Sequence, residues 1–387
     1  MRIYLDYNAT TPLYPEVVSA MTTVLSDTYG NASSIHAFGQ QAKTVVDDAR
    51  AAVAALIGAE PTEVVFTSGG TESDNLALRG AAEAFEHTTR RHIVTTGIEH
   101  EAVINTAKAL ERRGWTTTLL STDQSGILSP ASLAEALTDR TAIVSVMHAN
   151  NEVGTIQPIA ELSAIARARG ALMHTDAVQS VGKVPVSVKA LGADLVAVSA
   201  HKFGGPKGIG ALWVRRGVRL VSQMTGGKHE RSRRAGTENV AAIAGLGVAA
   251  RLAAAKLADA PKIAVLRDEL ERGILTAIPG TALNGDVDGR VPNTTNISFD
   301  AVEAESLLIA LDLEGVAVST GSACSSGSLE PSHVLRAMNL PSARARNSIR
   351  FSLGPSNTAA EIAFVLNVLP DLVSRLRRIG RAAVAAR

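Results

Sequence analysis

Short runs of β-branched residues alternate with longer alanine-rich stretches of helical spacing through the first two thirds of this chain, the signature of parallel strands joined by helical crossovers. Residues 64–66, 92–95, 142–146, 172–174 and 195–198 read as strands, and residues 72–84, 101–112, 159–169 and 239–257 as helices between them. The pattern changes near Ala258-Asp259-Ala260-Pro261, after which a helix over 262–277, a strand-like run over 294–299, a Gly/Ser-rich segment and a helix over 361–376 follow. Two domains are expected: a large α/β domain over residues 15–257, and a smaller α+β domain built from 1–14 and 258–387. Arg375, Arg377 and Arg378 are expected in the last turn of the final helix, where cations complement its dipole.

With 387 residues and 46% hydrophobic side chains the chain can bury a sizeable core, which excludes a disordered or fibrous protein. Lys and Arg (38) nearly cancel Asp and Glu (37), and aromatic residues make up only 3%, so neither a global field nor a stacking platform for nucleic acid is present. The lone cysteine, Cys324, rules out an intramolecular disulfide and a thiolate-built zinc centre; no metal site is expected, and a reducing compartment is the natural reading. Asp6 interrupts the N-terminus before an apolar signal region develops, and Arg251 breaks the apolar run 241–255, so a soluble cytoplasmic protein with no membrane partner is expected.

Three clusters directly after strands are chemically suggestive. Ser68-Gly69-Gly70-Thr71 sits where a strand turns into a helix: free amides at the helix start, close backbone approach and a hydroxyl suit a phosphate, although a plain glycine turn capped by Thr71 fits equally well. It is not a Walker A loop, since Lys207 is followed by Gly208. Asp176 follows the 172–174 strand, where the carboxyl ends of an open sheet line the ligand crevice. Lys202 leaves an apolar strand for a glycine-rich loop, a placement suited to an amine that forms a Schiff base, whereas Lys207 reads as solvent-facing. Jointly they supply a phosphate cradle, a carboxylate for a ring nitrogen and an amine for an imine, the groups pyridoxal phosphate asks of a protein. His100 follows a further strand, a position from which it could lie over such a ring, although a lone histidine at a helix start is otherwise routine. Small and polar neighbours flank Cys324 on both sides, so its loop is expected to be exposed and mobile, with a thiolate that travels to a substrate. Arg350 lies in a strand-like run where a substrate carboxylate, or a structural salt bridge, would satisfy its guanidinium.

The segments Tyr4-Leu5-Asp6-Tyr7-Asn8-Ala9-Thr10-Thr11, Tyr29-Gly30-Asn31, Gly69-Gly70-Thr71-Glu72-Ser73-Asp74-Asn75, His174-Thr175-Asp176-Ala177-Val178-Gln179, Ser199-Ala200-His201-Lys202-Phe203, Arg234-Ala235-Gly236-Thr237-Glu238-Asn239 and Gly321-Ser322-Ala323-Cys324 resemble cysteine desulfurases of the NifS/IscS type, in the same order along nearly the whole chain. The resemblance implies an α/β architecture of PLP-dependent fold type I, class V aminotransferase, with a mainly parallel seven-stranded sheet and a smaller α+β domain, acting as a homodimer with pyridoxal phosphate on Lys202. It implies Asp176 on the pyridine nitrogen, Gln179 and Asn151 near the ring hydroxyl and His100 stacked on the ring. Gly70, Thr71, Ser199 and His201 would hold the phosphate, with Thr237 from the other subunit, and Arg350, assisted by Asn31 or Asn151, would take the substrate carboxylate. Two departures stand out: Gly227-Lys228-His229-Glu230 where a Gln-Glu pair is common, and Ala32 where a proline is usual.

The implied reaction removes sulfur from L-cysteine, leaving L-alanine and a persulfide on Cys324 that passes to a sulfur-acceptor protein, an iron-sulfur scaffold or a thiolation partner. The serine-rich stretch around Cys324 resembles the long-loop group, which favours direct hand-off. A selenocysteine lyase or an aminotransferase on the same fold, and a noncatalytic sulfur carrier that only displays Cys324, are the competing readings; the last leaves Lys202, Asp176 and the cradle unexplained.

Overall fold

The computed structural model describes residues 2–321 and 331–385. After β1 (Ile3–Tyr4) and the helices α1 (Pro15–Asp27) and α2 (Ala37–Leu56), seven strands build the principal sheet: β2 (Val64–Thr67), β3 (His92–Thr96), β4 (Thr116–Leu120), β5 (Thr141–Ser145), β6 (Leu172–Asp176), β7 (Leu195–Ser199) and β8 (Gly210–Val214). Their order is β2-β8-β7-β6-β5-β3-β4, with only β8 antiparallel to its neighbours. Inserting β8 between β2 and β7 keeps those two strands parallel, so the carboxyl ends of β2, β3, β5, β6 and β7 share one edge. Except for edge strand β4, these strands are buried almost throughout, as expected of a sheet covered on both faces.

All five strands expected here from the sequence are present, with ends within one or two residues, whereas β4 and β8 carry no signal in that reading. The helices α3 (Gly70–Ala84) and α4 (Glu101–Glu111) leave the ends of β2 and β3. Cover on the opposite side includes α1, α2 and the helix Val240–Lys256, which pack on one another. The buried face of α2 is made largely of Ala42, Val46, Ala49 and Val53, so little hydrophobic contrast marks it.

A second core forms around the antiparallel strands β9 (Thr281–Asn284), β10 (Thr294–Phe299) and β12 (Ser348–Ser352), covered by the helices Ala260–Ala277 and Ala359–Ala385. The N-terminus joins this core: β1 pairs in parallel with β11 (Val316–Ala317), and Leu5 is buried among Ile297, Phe299 and Phe351. The change of pattern near Ala258 is a single 3-10 turn, Leu257–Asp259, between two helices. One local expectation fails. The last helix continues to Ala385, so Arg375, Arg377 and Arg378 sit mid-helix and cannot answer its dipole; Arg377 instead donates to the Asp300 carbonyl at 2.9 Å. The stretch Val240–Ala277 is long and apolar enough to span a bilayer, but 61% of its most apolar window is buried inside the protein, which marks a core helix.

Candidate active site

Three strand tips form the floor of the site. At the end of β2 the chain turns through Gly69, whose φ of +150° disfavours a side chain, and Gly70, where a Cβ would stand 2.9 Å from Val178 Cγ2. Thr67 Oγ1 meets Ser73 Oγ at 2.8 Å, and Ser73 Oγ donates to the Gly69 carbonyl, so the turn is locked from beneath. Above it lies a hollow of about 370 Å³ lined by Gly69, Gly70, Thr71, Ser199, His201 and Gly208, at the positive end of the α3 dipole. Lys207 is exposed at its rim, as its sequence position suggested. Burial, with Lys202 and Lys207 close by, pulls His201 down to about 4, so it is neutral and its Nδ1 meets Thr10 Oγ1 at 3.2 Å.

At the tip of β6, Asp176 is buried and its Oδ1 accepts from Val178 N at 2.8 Å. Burial raises its carboxyl above the ordinary range, with His100 and Lys202 near enough to oppose the shift. His100 caps α4, its Nδ1 accepting from Ala102 N at 3.1 Å, which leaves the proton of the neutral ring on Nε2; burial lowers its affinity for a second proton. Two acids behind this floor were given no role of their own from the sequence. Asp74, on α3, is pushed well up by burial and by Asp176 and Glu99, and its Oδ1 lies 3.5 Å from His174 Nε2. Glu99 is pushed to about 8 by burial, with Oε1 accepting from Thr96 and from Met147 N and Oε2 without a partner.

The roof is the segment 6–11, which crosses the edge of the sheet as a strap. Lys202 Nζ donates to the carbonyls of Asn8 at 2.6 Å and Ala9 at 2.9 Å. The Asn8 carbonyl also accepts from Gln179 Nε2 at 3.0 Å, while Asn8 Nδ2 donates to Thr294 Oγ1 at 2.8 Å and to the Asn151 carbonyl at 3.1 Å. Thr11 N and Oγ1 both donate to the His201 carbonyl, at 2.9 and 2.8 Å, so the strap is pinned beyond the lysine as well. Arg350, buried at the centre of β12, donates from NH2 to Asp6 Oδ1 at 2.6 Å and from NH1 to the Asn151 carbonyl at 2.9 Å. Its Nε is buried and finds no partner among the described residues.

The fold thus brings Lys202, Asp176, His100, Gln179, Asn151, Ser199, His201, Gly70, Thr71 and Arg350 around one crevice. Two further residues lie elsewhere. Asn31 is exposed between α1 and α2, its Oδ1 accepting from Ser33 N at 2.8 Å, and Thr237 is exposed in the loop before the helix Val240–Lys256. Cys324 lies outside the described residues. Sequence reasoning also passed over Asp6 and Asn8, whose side-chain partners stand far away in the chain, and Lys183, which joins distant Asn8 to nearby Gln179.

Comparison with known proteins shows the family and the fold. The family model described as aminotransferase class-V matches residues 3–365. A cysteine desulfurase of Trichormus azollae is 52% identical over 378 residues, 97% of this chain and 94% of that protein. The cysteine desulfurase IscS of Dictyoglomus turgidum is 49% identical, again over 97% of this chain and 96% of its own length. A solved structure described as a NifS-like protein superposes with a TM-score of 0.91 at 36% identity, covering 97% of this chain and all of the other.

Proposed function

The chain belongs to the class-V aminotransferase family, and on that premise we propose that it is a cysteine desulfurase, in which L-cysteine gives its sulfur to Cys324 and leaves as L-alanine. The observation that carries the site assignment is the position of Lys202 Nζ, held on the Asn8 and Ala9 carbonyls beside Asp176 and His100. The residues present fit pyridoxal phosphate: a glycine turn at Gly70 with no room for a Cβ, a buried carboxyl at Asp176 held by Val178 N, and an amine at Lys202. When bound, that group supplies a carbonyl for the lysine and an electron-withdrawing ring that stabilises negative charge at the substrate Cα.

The chain's own groups then divide the work. Gly70, Thr71, Ser199 and His201 would hold the phosphate, with Thr237 of a partner subunit closing the cradle. Asp176 would answer positive charge on the bound group, which favours the ionised carboxyl that burial otherwise disfavours. Lys202 Nζ, when not carrying the group, would be the base that takes the Cα proton and returns it. Arg350 receives the substrate carboxylate through its unpartnered Nε, with the Asn151 carbonyl and Asp6 fixing the plane of the guanidinium. His100 carries a proton on Nε2 for exchange with the substrate thiol. The Cys324 thiolate attacks the substrate Sγ: an S–S bond forms, the Cβ–S bond breaks with its electron pair left on the carbon skeleton, and protons from the site complete L-alanine.

Exposed Tyr29 and Ile35 between α1 and α2 and Phe38 at the start of α2, at 74%, 94% and 50% exposure, together with the remote Thr237, support a homodimer. The division into a large lobe over 15–257 and a small one from 1–14 and 258–387 is part of the same proposal, as are a cytoplasmic setting and a protein acceptor for the sulfur. Replacing Cys324 by Ser tests the reading. The visible absorbance of lysine-bound cofactor should persist while alanine and persulfide formation disappear, and persistence of both products would overturn the role of Cys324.

A further inference from the structure

Lys183 lies in the turn that follows β6, four residues beyond Gln179, and turns its amine inward. Its Nζ donates to Gln179 Oε1 at 2.5 Å and to Asn8 Oδ1 at 2.7 Å. Those two side chains are the ones whose neighbouring groups meet Lys202: the Asn8 carbonyl accepts from both Lys202 Nζ and Gln179 Nε2. An amide can sit in its pocket in two senses related by a half-turn, and its partners decide which one is occupied. Lys183 donates in both of these contacts, so it favours the sense in which Gln179 turns its carbonyl away and its NH2 towards Asn8 and the crevice. Asn8 Oδ1 keeps a second donor, Asn293 Nδ2 at 3.0 Å, whereas no other donor to Gln179 Oε1 is found among the described contacts. The orientation of Gln179 therefore depends on Lys183 far more than that of Asn8 does.

We propose that Lys183 is a positioning residue of the lysine-cofactor linkage, fixing the Gln179 amide so that its N–H faces the ring oxygen next to the imine and adding a second donor-rich group beside Lys202. The proposal rests on the reading of Lys202 as the cofactor lysine. Around the Lys183 amine the charged groups are Lys202 and Arg350, both cations; burial and these two hold it well below an ordinary lysine. Asp6 neutralises Arg350 on the far side, Asp176 stands across the crevice near Lys202, and Tyr7, Tyr14, Lys256 and Asp259 line the cavity of about 270 Å³ behind the amine. Neutral or charged, the amine has enough N–H groups for both carbonyls.

The sign of the effect follows. A donor on the ring oxygen favours the unprotonated linkage, so removing it raises the pH at which the linkage loses its proton. The test is an absorbance titration of the holoenzyme without substrate. Lys183→Met should move the midpoint up by about one pH unit, Lys183→Gln, which keeps a donor, by less, and Lys183→Arg should restore the wild-type value. A purely structural lysine would lower thermal stability without moving the midpoint. If Lys183→Met does not fold, the Gln and Arg variants carry the same comparison. An unmoved midpoint in a cofactor-loaded Met or Gln variant would overturn the role of Lys183, whereas a wild-type protein without the visible band would overturn the cofactor reading itself.

Discussion

The edge of the sheet and the strap laid across it hold one site from two sides with opposite chemistry. On the sheet side stand three buried acids, Asp74, Glu99 and Asp176, each raised by burial. Facing the strap are three cations, Lys183, Lys202 and Arg350, each set on carbonyl oxygens or, for Arg350, on one carbonyl and one carboxylate. A carboxyl can stay neutral and remain inside a rigid sheet with few partners, but an ammonium or guanidinium brought into the same interior needs acceptors close by. The sheet can therefore supply its acids from strand ends alone, while the cations require a length of extended chain with unpaired carbonyls. Segment 6–11 meets that need because its carbonyls at Asn8 and Ala9 are not spent on a ladder.

The largest effect that separates the two sides is expected at Asp176. Asp176→Asn removes the charge that answers a cationic ring while leaving the sheet intact, so kcat should fall by roughly 10²–10³-fold with no loss of thermal stability. A variant that kept its activity, or that lost stability instead, would break the division. Glu99 sharpens it through pH. Its carboxyl is held at about 8 in the fold and ionises near 4.5 when unfolded, so between those values the folded state holds the extra proton. The contribution of Glu99 is fully present below pH 4.5 and is lost as the pH rises towards 8, with a slope of at most about 1.4 kcal/mol per unit. Denaturant titrations of Glu99→Gln across pH 5–8 should show that decline flattened. On the strap, Asn8→Ala strips acceptors from Lys183 and Asn293 and a donor from Thr294. Its cost should appear as stability, about 2 kcal/mol in the denaturant midpoint, with the cradle's phosphate affinity unchanged. Equal damage to phosphate binding would mean that strap and cradle are one unit.

The same contrast explains what the sequence reveals. Asp176, Lys202 and the Gly69-Gly70 turn each follow an apolar run directly, so position and chemistry are read from one stretch of chain. Lys183, Asn8 and Asp6 look like ordinary polar residues, because the partners that give them meaning stand as much as 344 positions away, as in the Asp6–Arg350 pair. Glu99 and Glu101 stand two positions apart with the same side chain; one is fully buried and the other half-buried in the first turn of α4, and periodicity over so short a span does not separate them. β8 went unread because its five residues sit close behind a glycine-rich loop, and an antiparallel insertion has no crossover helix to announce it. The arginines of the last helix misled for the opposite reason: a terminal cluster was assumed where the helix simply continues.

The account stands most directly on which amine carries the cofactor. Reducing the holoenzyme with sodium borohydride fixes the imine as a stable secondary amine, and mass spectrometry of its peptides then locates the pyridoxyl group. The arrangement described here predicts that it is found on Lys202; a modification on Lys183 or Lys207, with Lys202 unmodified, would contradict it.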